Sequence, residues 1–167
     1  MMKHRQAFFV YLAAFFLQPF LQNLIPFLGN HVNLILCLTV MMTFVHETPS
    51  QALFFGCVFA MFTDLFYGLY TGPSVVAMFA CVMTVYLLKY FVHIENWMNA
   101  VVFLAAATLL YGTVYWCVYA VIGTTYSYFY AMMSLLPQIV CNVLVGLGVY
   151  FALIGNEKKL RRDRYYR

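Results

Sequence analysis

Six apolar runs, joined by connectors too short to hold a domain, take up nearly the whole of this chain. A soluble core of 167 residues cannot hide 17 Phe and 14 Tyr without large exposed apolar patches. Hydrophobic residues make up 65% and charged residues 8%, where an ordinary globular chain is about a quarter charged. The mean hydropathy is +0.85. The chain therefore reads as one integral membrane domain. The expected fold class is all-α, a polytopic, compact bundle of six transmembrane helices.

The expected spans are residues 7–22, 32–45, 52–70, 74–91, 98–122 and 131–155, followed by a basic tail, 156–167. The second span is short for a bilayer that asks for about 20 residues. Either its flanks and a thinned membrane let it cross, or it is partly re-entrant. The connectors are Gly29-Asn30-His31, His46-Glu47-Thr48-Pro49-Ser50, residues 68–73, His93-Ile94-Glu95-Asn96 and Gly123-Thr124-Thr125. Lys3-His4-Arg5 ahead of an apolar run has signal-peptide polarity, but no small-x-small cleavage site follows, so an uncleaved first span is expected.

Charge sets the orientation. Six of the nine Lys and Arg lie in the tail: Lys158, Lys159, Arg161, Arg162, Arg164 and Arg167. With six spans, Lys3, Arg5 and Lys89 share the tail's side, and no Lys or Arg falls on the other, so both termini are expected in the cytoplasm. Tyr67, Tyr70, Tyr126, Tyr128 and Tyr130 then mark the outer interface, Tyr90 and Trp97 the inner one. The tail reads as a topology signal and a contact for anionic lipid, worth about 1 kcal/mol per basic residue. It does not read as a nucleic-acid site.

The third run organises the rest. Gly56, Ala60, Asp64 and Gly68 follow one another at four-residue intervals, which on a helix keeps them in one stripe. Gly56-x-x-x-Ala60 is a small-xxx-small surface that lets another backbone come close. It can pack the bundle itself or receive a partner's helix. Gly68, Gly72 and Pro73 then end the helix and turn the chain. Asp64 is the one charged side chain that these spans do not place near a membrane surface, and a carboxylate there should face protein or a wet cavity.

Counting about 1.5 Å per residue inward from the outer ends puts Gln18, Asp64, Tyr115 and Gln138 at one depth, roughly 10 Å down. They are expected to form a polar layer centred on Asp64, with the phenols of Tyr111, Tyr115 and Tyr119 on one helix face to hydrogen-bond it. Asn142, deeper on the sixth span, is a buried amide that needs its own partner.

Reactive chemistry finds no footing. Asp64 is the only spanning acid, so no carboxylate pair is available; His4, His31, His46 and His93 sit on separate connectors; Ser127 and Ser134 have no adjacent base. Cys37, Cys57, Cys81, Cys117 and Cys141 all fall inside apolar runs without metal-ligand spacing. No Gly-rich phosphate loop occurs. No catalytic, cofactor or metal site is expected, which leaves a membrane scaffold or a substrate-binding transporter subunit.

The stretch Phe55-Gly56-Cys57-Val58-Phe59-Ala60-Met61-Phe62-Thr63-Asp64-Leu65-Phe66-Tyr67-Gly68, then Gly72 and an apolar run through Ala77 and Tyr86, resembles MreD, the rod shape-determining membrane protein family of bacteria. The family's Gly-x-x-x-Gly-x-x-x-Asp helix has Ala60 here in place of the second Gly. Pro137-x-x-x-x-Asn142 is similar to its last helix, and length, cytoplasmic ends and basic tail agree, so the likeness covers essentially the whole chain. It implies a non-enzymatic scaffold of the cell-elongation machinery in the cytoplasmic membrane. The implied partner is an MreC-like membrane protein, and through it the MreB filament, the RodA-type glycan polymerase and its transpeptidase. The family also looks similar in fold to the vitamin-binding subunits of energy-coupling-factor transporters, which keeps that function as the alternative.

Overall fold

The shortest helix lies at the centre. In the computed structural model, which describes residues 4–24, 32–46, 49–92, 96–123 and 127–165, six helices account for nearly all the backbone and no strand occurs among the described residues. They are α1 (His4–Leu24), α2 (Leu34–Val45), α3 (Ser50–Tyr67), α4 (Pro73–Leu88, continued by a 3-10 turn at Lys89–Phe91), α5 (Trp97–Ile122) and α6 (Tyr128–Tyr165). Four stretches are long and apolar enough to cross a membrane: Ser50–Tyr67, Pro73–Phe91, Trp97–Ile122 and Tyr128–Gly155. The connector residues Gly29, Asn30, His31, Glu47, Thr48, His93, Ile94, Glu95, Thr124 and Thr125 lie outside the described residues, as do Lys3, Tyr126 and Arg167.

α2 has 12 residues, roughly 18 Å, little more than half of a ~30 Å hydrocarbon core. Residues 35 to 45 are all buried, and α2 touches each of the other five helices. It is an axial strut, and its apolar character all round is what a helix enclosed by protein needs. Its start is fixed by the Asn33 side chain, which accepts a hydrogen bond from the Leu36 N–H (3.0 Å). Its end is fixed by Lys89. The Lys89 ammonium donates to the carbonyls of Thr43 (3.1 Å) and His46 (2.6 Å), under the rings of Tyr86 and Tyr90. A cation there also suits the negative end of the helix dipole. Lys89 is only 4% exposed, so it is a buried cap and not the surface charge expected at the end of span 4.

Lipid is as apolar as Leu, so close packing and not exclusion from water must hold such helices together. Thr39 of α2 is where this is tightest. A Cβ on Gly56 of α3 would stand 2.6 Å from Thr39 Cγ2. The Thr39 hydroxyl donates to Ile35 O (2.6 Å) and accepts from the Tyr11 hydroxyl of α1 (3.0 Å). Tyr11 in turn stacks on Phe55 and Phe59 of α3, with centroids 5.8 and 5.7 Å apart. On the far side α5 and α6 interlock, Leu135 filling the space over Gly112 and Leu104 the space over Gly146.

Most element boundaries lie within three residues of expectation, and two of the differences bear on the site and the tail. α3 stops at Tyr67 because Gly68 leaves the helical conformation, its N–H closing on Asp64 O (2.9 Å). α6 does not stop at residue 155. It continues as helix through Lys158, Lys159, Arg161, Arg162 and Arg164 to Tyr165, and its 38 residues run about 57 Å.

Candidate functional site

The turn between α3 and α4 is tied by a carboxylate. Asp64 Oδ2 accepts hydrogen bonds from the backbone N–H groups of Gly72 (2.9 Å) and Ser74 (3.0 Å). Gly72 is the N-cap of α4 at φ 121°, a conformation costly for any residue with a Cβ, and Pro73 follows at the first helical position. Asp64 thus satisfies orphan donors at a helix N-terminus and adds negative charge where the dipole favours it. It is 4% exposed. The expectation that tyrosine phenols would hydrogen-bond Asp64 is corrected: its two hydrogen bonds come from the main chain, which is nearer and fixed by the turn.

The groove stripe also faces inward. Gly56 meets Thr39, Ala60 is buried, and Gly68 and Gly72 shape the turn. Of the two occupants the spacing allows, the bundle itself takes the surface: α2 packs on Gly56 through Thr39, and Ala60 is buried. Asn142 finds its partners at the start of the same helix: its Oδ1 accepts from Asn33 N–H (2.8 Å) and its Nδ2 donates to Thr108 Oγ1 (3.2 Å). That links α6 to both α2 and α5 at the level where α2 begins.

Above that level the bundle is open. Because α2 starts deep, a cavity of about 660 Å³ occupies the space over its N-terminus. Gln18, Asp64, Tyr115 and Gln138 all line it, and Asn142 lies beneath it. Five helices and the cap of the sixth contribute: the C-terminal halves of α1, α3 and α5, the N-cap Asn33 of α2, and the N-terminal parts of α4 and α6. The helices therefore alternate in direction around it. Along α5 the rings of Tyr111, Tyr115 and Tyr119 form a ladder, with successive centroids 6.0 and 4.7 Å apart. Tyr115 donates to the Tyr119 hydroxyl (3.1 Å), and the Tyr111 hydroxyl faces the Ser74 and Asn33 side chains.

Several lining residues escaped the sequence reading. Asn33 falls inside the expected second span, where only its place just before the unbroken apolar run marks it as an N-cap. Ser74 is flagged by the Gly-Pro ahead of it. Thr63, Trp116 and Ser134 carry no local signal that would set them apart from lipid-facing neighbours. No cluster of His, Cys, Asp and Glu able to hold a metal ion occurs among the described residues. No protein-family model, curated protein or solved structure matches the chain.

Proposed function

We propose that the chain crosses a bacterial cytoplasmic membrane six times, with both termini inside, and acts as a non-enzymatic scaffold of the cell-elongation machinery, in the manner of MreD. The observation that carries this reading is the use made of the residues behind the resemblance. Gly56 seats the central helix, Ala60 is buried in the core, and Asp64 ties the turn to Gly72 and Ser74. A motif spent on holding a bundle rigid suits a protein whose work is to present surfaces. The alternating helix directions around the cavity support an even number of crossings, and the basic helical end of α6 supports a cytoplasmic side rich in anionic lipid.

An MreC-like partner helix has to dock on an outward face, since the Gly56–Ala60 groove is occupied. The aromatic side of α1 and α3 offers one, with Phe9, Phe16, Phe54 and Phe66 all more than half exposed. The cavity favours a second reading, that of a membrane subunit binding a small molecule, as in energy-coupling-factor transporters. A pull-down of the tagged protein from its own membranes in mild detergent separates the two. Recovery of an MreC-like protein with wall synthases is the expected result. Recovery of a pair of ATPases with a large coupling subunit would establish the transporter reading instead.

A further inference from the structure

We propose that the cavity over α2 takes a small, non-anionic ligand with N–H donors, above all an organic cation carrying a flat ring; this goes beyond the scaffold reading and rests on the cavity itself. Several of its wall oxygens face it as acceptors. The hydroxyls of Thr63 and Ser134 donate to carbonyls of their own helices, Ala60 O and Ala131 O, both at 2.7 Å, and Tyr115 donates to Tyr119. Each of those oxygens keeps a lone pair for the cavity. Gln18 Oε1 is buried against it with no hydrogen-bond partner among the described residues. A buried acceptor without a donor costs free energy that a ligand N–H removes.

Charge points the same way. Asp64 is the one charged residue lining the cavity, and no Lys, Arg or His lines it among the described residues. Phosphates and carboxylates would enter without a counter-charge. A cation meets both the carboxylate and the faces of the tyrosine ladder, which attract cations within about 6 Å. The rings of Tyr111 and Tyr115 are nearly parallel, at 16°, so a flat ring can lie along them. The volume of about 660 Å³ suits one small molecule.

Three probes of one shape test this: tryptamine (cation), indole-3-acetamide (neutral) and indole-3-acetate (anion). Binding to the purified full-length protein in lipid nanodiscs is measured by equilibrium dialysis. The Ala131→Trp variant, which narrows the cavity, corrects for uptake by lipid. Tryptamine should bind saturably and at least about tenfold tighter than indole-3-acetate. Asp64→Asn should reduce tryptamine to the level of the acetamide, and Gln18→Leu should weaken both several-fold without lowering the melting temperature. Indole-3-acetate binding as tightly as tryptamine overturns the ligand class while ligand binding stands. No saturable uptake of any probe, or equal uptake by Ala131→Trp, overturns both.

Discussion

Among the described residues Asp64 and Lys89 are the two Asp, Glu, Lys or Arg side chains that the bundle encloses, and each closes a helix end. Asp64 holds two N–H groups at the start of α4, and Lys89 holds two carbonyls at the end of α2. Their hydrogen bonds lie at opposite ends of the bundle and share no partner, so their effects should be separable by mutation. Asp64→Asn keeps an acceptor oxygen and should cost about 1 kcal/mol, whereas Asp64→Leu strands two donors and should cost about 2–5 kcal/mol. Thermal unfolding in detergent, followed by circular dichroism, reads both; equal melting temperatures for Leu and wild type would remove Asp64 from its place in the fold. Lys89→Met keeps the aliphatic stem and loses the donor, leaving the Thr43 and His46 carbonyls without it, and should destabilise by about 2–4 kcal/mol. If Lys89→Met unfolds like wild type, α2 does not depend on that cap.

At the scale of elements, the contact between α3 and α2 governs the rest. Thr39 is β-branched and held by two hydrogen bonds, so it cannot turn away from a new methyl group at Gly56. Leu135 and Leu104, which lie over Gly112 and Gly146, present the flexible ends of their side chains. Gly56→Ala should therefore cost about 1–3 kcal/mol, and more than Gly112→Ala or Gly146→Ala. A double-mutant cycle with Thr39→Ala should show a favourable coupling between the two sites. Additive effects would mean that α2 and α3 are further apart than described.

The same elements explain what could be read in advance. Six helices were legible because apolar runs and Gly, Pro or Asn breaks alternate along the chain. Counting depth from the helix ends set Gln18, Asp64, Tyr115 and Gln138 at one level, and they share one cavity. The role of α2 was not legible. Residues 34–45 are as apolar as a lipid-facing span, and composition cannot tell protein surroundings from lipid ones. Lys89 was hidden for a related reason: a charge at the end of an apolar run reads as a surface residue until the neighbouring helix end is seen. The helical continuation of α6 through the tail was equally unmarked, since charged residues suit a solvated helix and a loose tail alike.

The molecule as a whole has two unlike ends. One holds the cavity, with Asp64 at its wall and tyrosines from α3, α5 and α6 around it. The other holds the buried Lys89 cap and the contact between His4 and Gln51 (3.2 Å) that joins the starts of α1 and α3. The basic turns of α6 continue past the Lys89 end. The account stands on the cavity end facing outward and the basic end facing the cytoplasm. The most direct test is cysteine accessibility in intact cells, with the five native cysteines replaced and a single thiol placed by Ser134→Cys or Lys158→Cys. A membrane-impermeant maleimide added outside should label Ser134→Cys, which lines the cavity, and should reach Lys158→Cys only after the membrane is permeabilised. Labelling of Lys158→Cys in intact cells, with Ser134→Cys protected, would reverse the orientation and contradict the account.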